Sequence, residues 1–480
     1  MTFIRKVKTT SGATAVQIAQ KEHGRIVRID HIGSAHSQDD LDTLLALAKK
    51  RLLGGQQSLF AESEPPKVYL KQSVSRLLLE VLIEQFNSLG FNRLEDDVFS
   101  LLCAARIVEP TSKLDSIRVL GDLGVKGLNK NRLYRCLGRI ILKDYRATIA
   151  SQCFAHAALG ISLVLYDVTT LYFEVQKEDT YRKPGMSKER RLEPQIIVGL
   201  LVDQNGFPLG LHSFEGNTAE TTTILPVIEA FKKQHNLTDI TVVADAGMLS
   251  SKNLEALTSA GYTYIVGSRL HKIPYDIAEY KKTAELSDKQ IITTELTAGQ
   301  RIIYQYREKR AALDIRNIEK QISKAERIIN GNIADKRSKF LNVKMKERKL
   351  NMALIDKAKM LAGIKGYVTN LAVPDEQVIA SYHQLWHVEQ SFRMSKSDLK
   401  ARPIFHHKRD AIEAHLTVVF AALAIGKLIE NSTGITIKRF VRTLRPIRSG
   451  TVLINGKEYE AEAEISTEVK SILRKLRSGH

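Results

Sequence analysis

The chain of 480 residues is poor in cysteine, and it lacks several segments that mark particular classes of protein. Its three cysteines are scattered and form no C-x-x-C pair, so neither a zinc knuckle nor a disulfide framework is indicated, and a reducing compartment fits. No apolar run reaches the roughly 18 residues of a membrane span, and the first residues lack the apolar core of a signal peptide. No G-x-x-x-x-G-K-[ST] motif occurs, so no nucleotide cofactor is expected. We therefore expect a cytoplasmic protein.

Positive charge is present in excess and is unevenly distributed. The chain has 72 Lys or Arg against 53 Asp or Glu, a net charge of +19. A surplus of this size favours a polyanionic partner, most commonly nucleic acid. Residues 299–365 hold 18 Lys or Arg against 7 Asp or Glu, whereas residues 160–268 hold 9 against 13. A basic segment thus interrupts an acidic one, and we expect the basic segment to contact phosphate groups.

Changes in composition divide the chain into five predicted regions. Short strands and a helix come first, a linker at 56–67 contains Pro65 and Pro66, and apolar residues at helical spacing follow. Beyond residue 158, buried strands alternate with helices. The regions are a small α+β part (1–65), a helical domain (66–157), a core in two pieces (158–269 and 366–435), a basic insertion (270–365) and a tail (436–480).

Two acids follow apolar runs in the first piece of the core. The run from Ile161 ends at Asp167, and another ends at Asp245, as expected of buried strands. The intervening sequence predicts an antiparallel meander followed by alternating helix and strand. This order predicts an α/β fold. Its mixed sheet is flanked by helices and interrupted by a β-hairpin plus helical insertion, after a mainly helical N-terminal region.

A stretch without Pro or Gly, from Tyr382 to Lys400, predicts one helix. At about 100° per residue, three apolar side chains form one stripe and five polar ones form a second along its edge. The apolar stripe is Val388, Phe392 and Leu399, and the polar stripe is Tyr382, Glu389, Arg393, Lys396 and Lys400. This arrangement predicts a helix that packs on the core and contacts a polyanion at its rim.

Three carboxylates from distant segments suit one kind of metal site. Asp167 and Asp245, on adjacent strands, would lie about 5 Å apart and repel each other unless a cation lay between them. Oxygen ligands without cysteine favour Mg²⁺ or Mn²⁺. Two such ions about 4 Å apart activate an attacking oxygen and stabilise the leaving oxygen of a phosphodiester. Glu389, on the crossing helix, is the candidate third ligand.

The sequences around these acids resemble those of a known family. The segments D-V-T-T-L-Y-F-E (167–174), V-V-A-D-A-G-M-L-S (242–250) and Y-H-Q-L-W-H-V-E-Q-S-F-R-M-S-K (382–396) are similar to DDE transposases of bacterial insertion sequences. The subgroup resembled carries an insertion before the Glu and a Y-x2-R-x3-E-x6-K signature. Tyr382, Glu389 and Lys396 keep this spacing, whereas Leu385 stands at the Arg position and Arg393 is a candidate substitute.

The resemblance implies a ribonuclease-H-like fold and a complete function. The protein would bind terminal inverted repeats, nick double-stranded DNA and join the freed 3′-hydroxyl to target DNA. Asp167, Asp245 and Glu389 would hold two Mg²⁺ or Mn²⁺ ions, and Tyr382 and Lys396 would contact a phosphate near the cleaved end. The chain would act as a homodimer on DNA in the bacterial nucleoid.

A second DNA contact is predicted in the helical domain. The basic helix there could read DNA as part of a helix-turn-helix, although a solvated helix face would have the same composition. Its candidate DNA-binding residues are Lys130, Arg132, Arg135 and Arg139.

Other functions remain compatible with these residues. The alternatives are a ribonuclease-H-like nuclease or resolvase that cuts without joining, and an inactive DNA-binding remnant of a mobile element. Relatives flip a base onto an aromatic residue of the insertion; if a base is flipped here, an insertion aromatic such as Tyr304 or Tyr306 must hold it, and otherwise the pathway differs. Trp386 is assigned to packing.

Overall fold

A computed structural model describes most of the chain, in two compact units. The described residues are 1–10, 12–53, 68–157, 163–174, 177–185, 193–248, 250–268, 274–297, 299–331, 338–341 and 349–478. The first unit comprises Met1–Lys71 with Thr451–Tyr459, and the second comprises Gln72–Gly450 with Glu460–His480. The predicted linker lies outside the described residues.

The first unit contains an antiparallel three-stranded meander covered by one helix. Its elements are β1 (Thr2–Lys8), β2 (Thr14–Glu22), β3 (Arg25–Ala35) and α1 (Gln38–Leu53). Helix α1 packs closely on the sheet, because a side chain at Gly33 would meet a Leu44 carbon at 2.7 Å. The strands and helix predicted here are confirmed, and β1 is an additional strand. Strand β4 (Val68–Val74) then leads into the second unit.

The second unit begins with five helices around an apolar core. They are α2 (Arg76–Ser88), α3 (Asp97–Val108), α4 (Ser116–Asp122), α5 (Lys130–Leu142) and α6 (Tyr145–Ala157). The buried carboxylate of Asp96 joins three of these helices. It accepts hydrogen bonds from the N–H of Phe99 at the start of α3, from Nε and Nη2 of Arg139 on α5 at 2.8 Å each, and from the Tyr145 hydroxyl of α6 at 2.8 Å. A charged group this buried is tolerated because each of its oxygens has donors.

A large mixed sheet follows. Its first elements are β5 (Leu163–Tyr172), β6 (Gln195–Val202), β7 (Pro208–Glu215), α7 (Ile224–His235), β8 (Thr241–Ala244), α8 (Ser251–Ser259) and β9 (Thr263–Ser268). Strands β5, β6 and β7 are antiparallel, whereas β8 is parallel to both β5 and β9. The predicted mixed sheet flanked by helices is confirmed, and it agrees with the ribonuclease-H-like arrangement that the resemblance implied.

The insertion extends this sheet as well as adding helices. Its elements are α9 (Tyr275–Thr283), β10 (Ile291–Thr297), β11 (Gln300–Tyr306), α10 (Glu308–Ile329), α11 (Met352–Met360) and β12 (Ile364–Thr369). The predicted hairpin is β10–β11, and β12 joins it to β9, so the eight strands run β10-β11-β12-β9-β8-β5-β6-β7. Helices α10 and α11 form a small separate core with Ile318, Phe340 and Ile355.

The last part of the chain supplies the central helix and closes the first unit. Its elements are α12 (Asp375–His383), α13 (Trp386–Arg393), α14 (Arg409–Thr433), α15 (Ile437–Leu444), β13 (Ser449–Ile454), β14 (Lys457–Ala461) and α16 (Thr467–Ser478). By length and composition α14 could cross a membrane, yet 94% of its most apolar window is buried inside the protein. Strands β14, β13 and β4 form a sheet in that order.

Removing the carboxylate of Asp96 should destabilise the helical part of the second unit. Asp96→Ala leaves the Tyr145 hydroxyl buried and Arg139 without its partner, and we expect a loss of about 2–4 kcal/mol in the free energy of unfolding. Urea denaturation measures this loss. The exposed neighbour Asp97 is the control, and Asp97→Ala should cost less than about 1 kcal/mol. Equal stability of the two variants would contradict this account of Asp96.

Candidate active site

Two of the predicted acids lie side by side in the sheet. Strands β5 and β8 are parallel, with Tyr166 opposite Ala244. One further step in this register sets Asp167 beside Asp245, which directly follows β8. Adjacent strands are about 4.8 Å apart. Asp167 is half-buried and Asp245 is exposed, so solvent can reach both residues.

The single helix predicted from Tyr382 to Lys400 is wrong. Helix α12 ends at His383, α13 begins at Trp386, and a π-helical turn occupies Met394–Asp398. Around residues 384–388 the backbone hydrogen bonds tighten to a spacing of three residues, which interrupts the helical ladder. The predicted apolar stripe nevertheless packs inward, because Val388, Phe392 and Leu399 are all buried.

Tyr382 joins this helical segment to the sheet. Its hydroxyl donates to the Oδ1 atom of Asp245 at 3.0 Å, and its ring contacts Tyr367 edge-on. Burial, and then the carboxylate of Asp245, raise the pKa of Tyr382 well above its usual range, so the phenol remains a donor at neutral pH. The close approach requires glycine at Gly267, where a Cβ atom would lie 2.4 Å from the Tyr382 hydroxyl.

Lys365, on β12, is a site residue that the sequence did not reveal. Its Nζ atom lies 4.3 Å from the centroid of the Tyr382 ring. Burial lowers the pKa of Lys365 overall, while the carboxylates of Asp245 and Glu389 act in the opposite direction. The ammonium group is therefore close enough to both acids to interact with them. Lys365 comes near the acids because β12 pairs with β9, which in turn pairs with β8. This pairing of strands that are distant in the chain cannot be read from the sequence.

Glu389 belongs to the same neighbourhood as the two aspartates. It lies exposed in the first turn of α13, and its charge, like that of Asp245, acts to raise the pKa of Lys365. Asp167 and Asp245 in turn both raise the pKa of Tyr382. The charges of Asp167 and Asp245 thus both act on Tyr382, and those of Asp245 and Glu389 both act on Lys365. Among the described residues, no group of three or more His, Cys, Asp or Glu is already arranged to hold a metal.

The donors present suit a hard divalent cation. They are the carboxylate oxygens of Asp167, Asp245 and Glu389. The positive charge of Lys365 already interacts electrostatically with Asp245 and Glu389. Clustered acids attract cations of this kind, and oxygen ligands select Mg²⁺ or Mn²⁺ over softer metals. The chemistry of Asp167, Asp245 and Glu389 therefore fits the predicted cofactor.

The remaining cations predicted near this helix lie at different places. Arg393 is exposed at the end of α13, and the Lys396 ammonium lies 6.0 Å from the Phe392 ring. Because the helical segment ends at Asp398, Lys400 lies beyond it. Lys400 therefore does not continue the predicted polar stripe and instead lines two cavities. The DNA contacts of these three cations stay predictions.

Two hydrophobic positions of the segment differ from expectation. Leu385 is buried in the turn between α12 and α13, a position that suits leucine and would penalise an unpaired arginine. Trp386 is 49% exposed and its ring centroid lies 3.9 Å from that of His387, so it is partly packed. Of the two tyrosines named as candidates for holding a flipped base, Tyr304 is buried and Tyr306 is half-buried.

The basic helix α5 exposes three of its four predicted cations. Lys130, Arg132 and Arg135 are exposed around Tyr134, which is itself 54% exposed. Arg139 instead pairs with Asp96 at 2.7 Å, so its guanidinium already stabilises the fold. Contact of α5 with DNA stays a prediction.

Comparison with known proteins identifies the family of the chain. The family profile described as "Transposase DDE domain" matches residues 158–425. The piggyBac transposase synaptic complex with hairpin DNA is 10% identical over 80% of this chain and 82% of that chain, with a TM-score of 0.42. The Mos1 transposase paired-end complex with left transposon end is 13% identical over 47% and 66%, with a TM-score of 0.17.

No curated protein sequence matches the chain. The family profile, however, spans more than half of the residues and includes Asp167, Asp245 and Glu389. The chain therefore belongs to the transposases with a DDE domain.

Proposed function

We propose that this protein is the transposase of an insertion sequence, which binds the inverted repeats at the ends of its element, nicks DNA there and joins the ends to target DNA. The observation that carries the proposal is the register of β5 and β8, which sets Asp167 beside Asp245. Membership of the transposase family supports it. The interactions of Lys365 and Tyr382 with these acids and with Glu389 are the further support.

The residues that would hold divalent cations are Asp167, Asp245 and Glu389. The chemistry that two Mg²⁺ or Mn²⁺ ions supply when bound is activation of the attacking water or 3′-hydroxyl and stabilisation of the leaving oxygen. Tyr382 holds the Asp245 carboxylate in one orientation through its hydrogen bond, which prepares that ligand before DNA arrives. Lys365 contributes a positive charge beside the site, where a phosphate group gains negative charge during transfer.

DNA recognition is assigned to cations outside the acidic centre. The exposed face of α5, with Lys130, Arg132 and Arg135, is suited to contact the element's end, and Tyr134 among them adds an aromatic surface. Arg393 and Lys396 follow Glu389 along the chain and are suited to the phosphates next to the cleaved bond. Cutting and joining two ends favours a homodimer on double-stranded DNA, and such a protein would act in the bacterial cytoplasm at the nucleoid.

Replacing Asp167 tests the catalytic assignment. Asp167→Asn keeps the shape of the side chain and removes its charge, so nicking and joining of the element's ends with Mg²⁺ should fall by about 1000-fold or more. Binding of the same DNA should be retained. Cleavage and strand-transfer assays on the element's own ends measure both, with exposed Asp239 as the matched control through Asp239→Asn. Full activity of Asp167→Asn would reject the proposal.

Joining separates the transposase from a nuclease. Wild-type protein given an end that is already cut should join its 3′-hydroxyl to a target duplex. A protein that nicks intact ends but never joins cut ones would be a resolvase-type nuclease, and one that binds without either activity would be an inactive remnant.

Removing the cation beside the acids should slow catalysis without abolishing DNA binding. Lys365→Met eliminates the ammonium and keeps much of the aliphatic chain, and we expect the joining rate to fall by about 10–1000-fold. The exposed Lys359→Met is the control. Single-turnover joining at saturating DNA and Mg²⁺ measures the effect, and an unchanged rate would exclude Lys365 from the site.

The hydroxyl of Tyr382 should contribute through Asp245. Tyr382→Phe removes one hydrogen bond to a carboxylate, an interaction of about 1.5–3 kcal/mol, so the rate should fall roughly 10–150-fold. If Tyr382 orients a metal ligand, the variant should also need more Mg²⁺ for half-maximal rate. A lower rate with an unchanged Mg²⁺ requirement would argue against that orientation.

A further inference from the structure

A cavity lined by cationic side chains lies apart from the site formed by Asp167, Asp245 and Glu389. This cavity of about 420 Å³ is enclosed by the C-terminal end of α3, the segment that follows it and the loop after the π-helical turn. Among the described residues, no Asp or Glu lines this cavity. Its titratable lining side chains are Arg106, Lys113, Lys400, Arg402, His406 and His415.

Two of these cations are buried, and neither forms an ion pair with an acidic residue in the part of the chain that the structure describes. Arg106 and Lys113 each retain only 7% of their exposure. Lys113 contacts the Nδ1 atom of His415 at 3.1 Å, and the Nε2 atom of His415 lies 3.2 Å from the Ala401 carbonyl. The carbonyl can only accept, so Nε2 carries the proton and Nδ1 accepts from Lys113. Arg106 makes no hydrogen bond or ion pair with any residue in the described ranges.

The acidic residues of the segment after α3, Glu109 and Asp115, already pair with other side chains. Asp115 accepts from Thr111 at 2.7 Å and from Arg118 at 2.9 Å. Glu109 pairs with Arg118 and with Arg445. Burial lowers the pKa of Arg106 to about 10 and that of Lys113 well below its usual range. The fold therefore sustains a costly arrangement that an anion inside the cavity would relieve.

We propose that this cavity binds a phosphate group. Arginine offers a planar fork of N–H donors and lysine a compact charge, which together suit phosphate oxygens. Thr111 and Ser112 also line the cavity. A neighbouring cavity of about 610 Å³ shares Pro110 and Lys400 with it, and carries Arg442 as well as Lys438, which pairs with Asp398.

This continuity of positive charge favours a phosphate within a polyanionic strand over a free ion. The loop also connects to the catalytic sheet, because the N–H of Ile404 donates to the carbonyl of Tyr172 at 3.2 Å. Tyr172 ends the strand that carries Asp167, roughly 17 Å away along β5 at 3.3 Å per residue. The assignment to a DNA strand rests on the proposed function, whereas phosphate binding itself does not.

Thermal unfolding with inorganic phosphate tests the site. At constant ionic strength, phosphate from about 0.1 to 20 mM should raise the melting midpoint of the wild-type protein in a saturable way. Lys113→Met should melt at or above the wild-type midpoint without phosphate, because replacing a buried charge by an apolar group is often neutral or stabilising. It should lose the phosphate-dependent rise, while the exposed control Lys233→Met should keep it.

Two results would overturn the proposal. One is that phosphate causes no saturable rise in the melting midpoint of the wild type. The other is an equal rise in the wild type, Lys113→Met and Lys233→Met, which would reflect a general stabilising effect of the salt. Arg106→Gln is the second variant, and calorimetric titration should show phosphate affinity at least tenfold weaker than that of the wild type. Unchanged affinity in Arg106→Gln would also reject the site.

A DNA arm separates the two sources of the phosphate. The affinity for a 20-bp duplex, about two turns, is measured against salt concentration for the wild type and Arg106→Gln. A salt slope reduced by about one in the variant assigns the cavity to a backbone phosphate. An unchanged slope together with lost phosphate binding assigns it to free phosphate. Neither outcome depends on nicking by Asp167, so failure of the transposase assays leaves this test intact.

Discussion

Repulsion between two neighbouring carboxylates is the constraint on which the site depends. The parallel pairing of β5 with β8 sets Asp167 beside Asp245 on adjacent strands. Adjacent strands are about 4.8 Å apart, so two ionised carboxylates at neighbouring positions repel each other. A sheet that keeps this pair must supply positive charge or hydrogen-bond donors next to it. Lys365 and Tyr382 provide one of each on the side of Asp245.

The rest of the core makes this compensation available. Strand β12 comes from the end of the insertion, and its pairing with β9 brings Lys365 towards the strands that carry the acids. Helix α12 brings Tyr382 to the same place, where Gly267 leaves room for its hydroxyl. The insertion thus contributes strands to the sheet that carries Asp167, and changes in these strands are expected to affect the acids. The broken helix after Tyr382 then exposes Glu389 while Val388 remains buried.

Sequence reasoning identified the acids because each one interrupts or ends an apolar pattern. Asp167 and Asp245 follow buried runs, and the mixed sheet they predict is observed. Lys365 was missed because its position depends on pairing between strands far apart in sequence. The break after His383 was missed because it contains neither Pro nor Gly and results from backbone bonds tightened over one turn. The buried position of Arg106 was invisible for a similar reason, since its surroundings come from a loop almost 300 residues away.

The most direct test of the central claim is the position of bound metal relative to the three acids. Crystals of the protein with a DNA end and Mn²⁺ would reveal each ion by its anomalous scattering. The account predicts ions bound by carboxylate oxygens of Asp167, Asp245 and Glu389, at the roughly 2.0–2.2 Å typical of such ligands. Ions bound elsewhere, or a Glu389 carboxylate more than about 10 Å from every ion, would contradict it.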